Sequence, residues 1–284
     1  REILQKTADT VRVLAAESIE KAGCGHPGLP LGCAEIGAYL YTSQLRHNPQ
    51  NPGWFGRDRF VLSAGHGSMF LYSLLHLTGY DLPLEQLKNF RQLHSMTPGH
   101  PEFGEAPGVE TTTGPLGQGI AAATGMAIAL KILRCRFDDT LFNSKVFVLA
   151  GDGCIVEGIS SEASSLAGHL QLDNLVLIYD SNDICLDGPT SECLSEDTGE
   201  RYRAYGFRVI RIDGHDFDQI EEAFETARAE TDKPVIIIAK TIIGKGAPTK
   251  QATSSCHGAK LGREELEALK KSLDWPESAF HIPA

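Results

Sequence analysis

The sequence predicts an α/β protein, a doubly wound, largely parallel sheet with helices on both faces. Three observations carry that prediction. From residue 145 onward, apolar runs alternate regularly with helical patterns. Runs such as Val235-Ile236-Ile237-Ile238 are apolar at every position, as expected of strands covered on both faces. Two runs close on short polar signals: Val146-Phe147-Val148-Leu149-Ala150 on Gly151-Asp152-Gly153, and Leu175-Val176-Leu177-Ile178-Tyr179-Asp180-Ser181 on Asn182. Signals at the carboxyl ends of strands are where open α/β sheets bind ligands.

In chain order, residues 2–21 place Ile3, Leu4, Val11, Leu14, Ala15 and Ile19 among charges and predict an amphipathic helix. Gly23, Gly25, Pro27, Gly28 and Pro30 interrupt it, and a helical pattern resumes over 31–43. Arg46 to Arg59, with Pro49, Pro52, Gly53 and Gly56, reads as a surface loop. Phe60-Val61-Leu62-Ser63 is a short strand, and Gly65-His66-Gly67 opens a helix from Ser68 to Leu77. Residues 94–119 hold four prolines and six glycines. They form a long irregular stretch without low complexity, which favours a functional loop. An Ala-rich helix covers 120–134. Strands follow at 145–150, 175–180, 207–212 and 234–240, with helices at 156–169, 197–205 and 216–229. A second Gly-rich loop spans 241–260 and a closing helix 263–273, with no internal repeat, linker or domain boundary.

Composition narrows the function. With 284 residues, 42% hydrophobic and 22% charged, the chain has ample core for a water-soluble fold. The net charge of −11 and the lack of a basic stripe argue against nucleic acid as a partner. No apolar run approaches the roughly 18 residues of a membrane span, and no signal-peptide pattern is present. Seven cysteines, an odd number without a CxxC pair, argue against a disulfide framework or a four-cysteine zinc site and for a reducing cytosol. The first residue is Arg1, so a trimmed chain is expected.

Asp152 and Asn182 lie 30 positions apart at the ends of two strands of one β-α-β unit. Two hard oxygen ligands there suit Mg2+ or Ca2+ held together with a ligand's phosphates. A Gly-Asp-Gly triplet alone also reads as a tight turn, and Asn182 as a turn residue. Glu157 reads either as a site residue or as a partner of the following helix's dipole. Of ten histidines, four stand out in Gly- or Pro-flanked motifs: Gly25-His26-Pro27-Gly28, Gly65-His66-Gly67, Gly99-His100-Pro101 and His257-Gly258. One such histidine is usually structural, but four suggest a site lined with proton-exchanging imidazoles. Zinc is the competing reading, and no two of the four show short ligand spacing. Gly114-Pro115-Leu116-Gly117-Gln118-Gly119 suits a phosphate or a heterocycle and matches neither GxGxxG nor the P-loop.

Taken together, Gly25-His26-Pro27-Gly28, Asp58 to Gly67, Thr97 to Glu102, Thr112 to Gly119, Gly151 to Cys154 with Glu157 to Ala163, and His257-Gly258-Ala259 with Leu261-Gly262 resemble the transketolase family. The motifs run in order over nearly the whole chain. The resemblance implies a thiamine diphosphate enzyme with Mg2+ or Ca2+. It would move a two-carbon ketol unit from a ketose phosphate to an aldose phosphate in the pentose phosphate pathway. It implies that Asp152, Asn182 and the backbone carbonyl of Ile184 ligate the metal. Gly153 would donate its N–H to the diphosphate. His66 and His257 would contact the diphosphate side of the cofactor, and Gly114, Pro115 and Leu116 its rings. His26, His100 and His257 would face the sugar hydroxyls and handle protons. Glu157 would support the cofactor or the subunit contact.

Three positions depart from the family pattern: Asp183 between two implied ligands, Ser254-Ser255-Cys256 before His257, and Lys260 where proline is usual. Family members are also about twice this length. Their second half grips the aminopyrimidine ring and carries the glutamate that activates it, with basic residues for the sugar phosphate. Residues 1–284 are therefore expected to be a single diphosphate-binding domain, a fragment or one subunit of a split enzyme. Such a domain is inactive without a pyrimidine-binding half and belongs to a cytoplasmic homodimer when complete. Competing readings are a dihydroxyacetone synthase, which shares nearly all the motifs, a deoxyxylulose-phosphate synthase, against which the histidine set argues, and a non-catalytic assembly domain.

Overall fold

The computed structural model describes residues 1–137 and 140–283; Ala284, the expected domain end, lies outside the described residues. Helix α1 (Glu2–Ala22) buries Val11, Leu14, Ala15 and Ile19 and stops at Gly23, whose left-handed backbone bonds back to Ile19 and Glu20. Ile3, expected on its apolar face, stands exposed. The helical pattern over 31–43 is broken into α2 (Gly28–Gly32), α3 (Ala34–Tyr39) and a π-turn, Leu40–Gln44. Gly28, read as a breaker, instead opens α2. A Cβ there would lie 2.6 Å from Ile243, so the glycine permits close approach to the 241–260 loop.

Strand β1 (Arg59–Leu62) leads through a tight turn into α4 (Ser68–Leu77). Next comes α5 (Leu84–Lys88), which is too short to leave a periodic pattern in the sequence. Residues 94–117 stay irregular, as expected, and α6 (Gln118–Arg136) follows. The alternating half contains β2 (Val146–Gly151), α7 (Asp152–Val156), α8 (Gly158–His169) and β3 (Leu175–Ser181). Then come α9 (Thr198–Tyr205), β4 (Arg208–Asp213), α10 (Phe217–Ala229) and β5 (Val235–Lys240), and α11 (Arg263–Ser272) closes the fold. The helix expected over 156–169 is α8, starting two residues later, and the short α7 before it, ending where Glu157 turns extended, was not expected.

Among the described residues five strands form one sheet in the order β1-β2-β3-β5-β4, every pair parallel. Phe60 pairs with Phe147, Val148 with Leu177, and Ile178 with Ile237. From β1 to β4 the chain advances one way across the sheet, and α6, α8 and α9 pack side by side on one face. The step from β4 back to β5 reverses direction, and α10 lies on the other face with α1, α3 and α4. That is what uniformly right-handed crossovers require. Strands β2, β3 and β5 are buried almost throughout, whereas edge strand β4 shows solvent Arg208, Arg211 and Asp213.

Two clusters make the core. The large one fills both sides of the sheet. A smaller one joins Ala16, Leu31, Ile243, Ala247, Cys256, Leu261 and Leu269, clamping the 241–260 loop and α11 onto α1 and α2. Among the described residues no helix is long and apolar enough to cross a membrane.

Candidate cofactor and metal site

The parallel sheet brings the ends of β2 and β3 together, because Gly151 pairs with Asp180. Asp152 follows immediately and is 5% exposed. Its Oδ1 accepts a hydrogen bond from the Tyr179 hydroxyl, whereas its Oδ2 is buried without a hydrogen-bond partner. Burial lifts the Asp152 carboxyl to about 7; Asp180 and Asp183 push the same way, against the Tyr179 bond. A buried carboxylate oxygen with nothing bonded to it costs stability unless a cation or donor completes it.

Asn182 donates through Nδ2 to Asp180 Oδ2 at 3.0 Å, and its Oδ1 accepts the Ile184 N–H at 3.0 Å. Asp180 also accepts the Thr241 hydroxyl, and burial raises its carboxyl above the usual range. Next along, Asp183 adopts a left-handed φ of 66° and its carboxylate pairs with Lys240. The turn closes with Thr190 N–H on the Asp183 carbonyl at 2.9 Å and Cys185 N–H on the Gly188 carbonyl at 2.7 Å. The Ile184 carbonyl takes no part in that pairing.

The four loop histidines converge. His26 lies between α1 and α2, His66 in the turn after β1, His100 in the long loop and His257 in the 241–260 loop. The ring of His26 is 5.2 Å from that of His66, 6.1 Å from His257 and 6.4 Å from His100. His66 and His257 stack at 5.2 Å, 18° from parallel. Helix α4 holds the His100 loop: Ser68 donates to the Gly99 carbonyl at 2.9 Å and Tyr72 to the Pro98 carbonyl at 2.9 Å. Close packing at Gly65 helps, since a Cβ there would lie 2.6 Å from Thr113 Oγ1.

Burial, then mutual repulsion, keeps these rings neutral. His26 is lowered to about 4 and His66 to about 3, by burial first and by neighbouring histidines second. His100 and His257 are lowered too, His257 by burial and His100 by burial with Arg91 nearby. Nδ1 of both His26 and His257 is buried without a partner. Neutral imidazole can accept a proton at one nitrogen and donate one at the other.

A cavity of about 260 Å³ opens between these groups. His26, His66, Gly114, Leu116, Asp152, Gly153, Asn182, Ile184 and His257 all line it. His100 stands at its rim beside Gly114, where a Cβ would meet the His100 ring at 3.3 Å. Pro115 and Glu157 are exposed and do not line it. Glu157 sits over Gly117, which starts α6 at a φ of 81° that a side chain would strain. Leu29, Cys154, Asp180, Cys185, Leu186 and Ile243 also line the cavity and were not singled out from the sequence. Only Asp180 carried a signal, an acid inside an apolar strand.

The residues present fit a divalent cation held with a diphosphate. Asp152 Oδ2 lacks a partner, and Asn182 Oδ1 supplies a neutral oxygen. Among the described residues, no three of His, Cys, Asp and Glu gather as an ion-binding group. A cation here therefore needs amide, carbonyl and ligand oxygens, the set that suits Mg2+ or Ca2+.

Comparison with known proteins places the chain in a family. The family model described as transketolase, thiamine diphosphate binding domain matches residues 3–284. Transketolase 1 of Vibrio cholerae is 53% identical over 284 residues, 99% of this chain and 43% of that protein. Transketolase 1 of Escherichia coli is 54% identical over 284 residues, again covering 43% of that protein. The crystal structure of transketolase from Campylobacter jejuni superposes with a TM-score of 0.97 at 50% identity, covering all of this chain and 44% of that one. The chain thus spans less than half the length of the relatives it matches.

Proposed function

The chain belongs to the transketolase thiamine diphosphate-binding domain family, and we propose that it is the diphosphate-gripping half of a ketol transferase. The observation that carries this reading is Asp152, whose Oδ2 is buried without a partner and which lines the same cavity as Asn182, His26, His66 and His257. In this reading residues 1–284 form one domain. Its partner is the pyrimidine-binding half, within a cytoplasmic homodimer of the pentose phosphate pathway. The substrates are a ketose phosphate and an aldose phosphate. A solved transketolase from Pichia stipitis, 44% identical, is described as a complex with sedoheptulose 7-phosphate, which supports that substrate class.

Asp152, Asn182 and the Ile184 carbonyl would hold Mg2+ or Ca2+, whose charge would offset that of the cofactor's diphosphate. Gly153 offers its N–H to the same group. When bound, thiamine diphosphate supplies an electron sink for the carbon–carbon bond that breaks. Leu116 and Gly114 would form the wall against its rings, with Pro115 outside the cavity between them in the chain, and His66 and His257 would close the diphosphate side. His26, His100 and His257 contact the sugar hydroxyls. Being neutral at physiological pH, each can accept a hydroxyl proton at one ring nitrogen while donating the proton on the other, so no ring holds a net charge. Glu157, exposed beside Gly117, braces the subunit contact.

Titration calorimetry tests this reading. The native protein should bind thiamine diphosphate only with Mg2+ or Ca2+ present, and Asp152→Ala should lose that metal dependence. Equal binding by both proteins would overturn the assignment. Ketol transfer should require the pyrimidine-binding half, and turnover by this chain alone would remove the need for it.

A further inference from the structure

The turn that follows Asn182 carries two cysteines that the proposed chemistry leaves unused. Cys185 and Cys193 are free thiols whose sulfurs lie 3.8 Å apart, eight positions apart in sequence. Cys193 is exposed, and Cys185 is half-buried and lines the cofactor cavity. A disulfide needs an S–S separation near 2.05 Å, so the sulfurs must close by less than about 2 Å. The backbone already brings the two strands of the turn together, with Ile184 bridged to Pro189 and Thr190 bonded to Asp183.

We propose that Cys185 and Cys193 are a thiol–disulfide site that exchanges with a small disulfide of the oxidised-glutathione class. The exposed Cys193 sulfur attacks one sulfur of the small disulfide. That S–S bond breaks, and one small thiol leaves with the Cys193 proton. Cys185 then attacks the Cys193 sulfur, forming the protein disulfide and expelling the second small thiol. The two protein thiols lose two electrons and two protons, and the small disulfide becomes two thiols.

The position gives the disulfide a consequence at the cavity, which rests on the proposed function. Leu186, next to Cys185, reaches from the cavity wall toward the His257 loop: its Cδ1 lies 3.2 Å from where a Cβ on Gly258 would stand. Closing the 185–193 ring staples the segment that carries Ile184 and Leu186. The oxidised protein therefore exchanges bound thiamine diphosphate more slowly than the reduced one.

The test equilibrates the native polypeptide in buffers of graded reduced and oxidised glutathione. It then alkylates free thiols and maps them by peptide mass. Expected is the loss of two hydrogens from the single tryptic peptide holding both residues. Both should escape alkylation while the exposed Cys24 and Cys135 remain reactive. Alkylation of both Cys185 and Cys193 across the whole redox range would overturn the site. In the second arm, release of thiamine diphosphate is followed by chase at each redox poise. Oxidation should slow release several-fold, and Cys193→Ser should abolish that dependence without changing the reduced rate. A disulfide that forms with no change in release would overturn the coupling. Failure to bind thiamine diphosphate at any poise would count against the proposed function and leave the first arm decisive for the disulfide.

Discussion

Two buried aspartates mark the two ends of the sheet, and they are treated in opposite ways. Asp58, just before β1 and 2% exposed, is saturated. It accepts the N–H groups of Arg46 and Lys145 at 2.9 and 2.8 Å and the guanidinium of Arg228 at 2.7 Å. Asp152, just after β2, has one hydroxyl on one oxygen and nothing on the other. The first arrangement ties three segments together, since a buried charge with a full set of donors is held firmly. The second leaves stability unclaimed, as a site awaiting a ligand must. The same residue type at similar burial thus serves opposite ends, and the bonding partners tell which.

The largest effect should come from exchanging the two roles. Asp58→Ala should cost about 3 kcal/mol in urea unfolding, because it leaves Arg228 and two backbone donors without their acceptor. Asp152→Ala should leave the ligand-free protein as stable or up to about 1 kcal/mol more stable. The same change should weaken metal-dependent binding of thiamine diphosphate by more than about a hundredfold. A strongly destabilised Asp152→Ala protein would erase the contrast.

A smaller effect follows from the histidines. His66 is held near 3 when folded, against an ordinary value of 6.5. Between those values the unfolded chain takes up a proton that the folded chain refuses. Stability is therefore full above about pH 6.5 and falls as the pH drops through that window. His66→Asn should flatten the decline between about pH 7 and about pH 5, read from unfolding midpoints. An unchanged slope would mean that His66 is not the group resisting protonation.

The smallest effect concerns Asp183. Its carboxylate pairs with Lys240, and the two side chains are 68% and 57% exposed. Asp183→Ala should change stability by less than about 1 kcal/mol and metal affinity by no more than about twofold. A larger loss of affinity would make it a ligand.

Much of this was legible in the sequence. Apolar runs at every position gave β2, β3 and β5, and the polar signals closing them gave Asp152 and Asn182 their places. The four histidines were legible as a shared site from their Gly- and Pro-flanked loops, but their mutual placement was not, because no local spacing links His26 to His257. The acidic Asp183, an odd feature in the sequence, is explained by Lys240, which arrives from the end of β5. Tyr179 and Ile243 looked like plain core, and only the packing reveals one bonding to Asp152 and the other walling the cavity. Helix α7 was hidden because its five residues open on a Gly-Asp-Gly turn signal and are too few to show a period. Pro115 and Glu157 sit outside the cavity because its walls depend on side-chain direction, which motifs do not encode.

The stacking of His66 on His257 also sets a schedule. Synthesis at roughly 5–20 residues per second delivers His257 about ten seconds or more after His66. Until then the cavity lacks one wall, the 241–260 loop that carries His257. The cofactor cavity is therefore completed late in the life of the nascent chain, and a ribosome that stalls before residue 257 leaves the proposed metal ligands Asp152 and Asn182 without the wall that faces them.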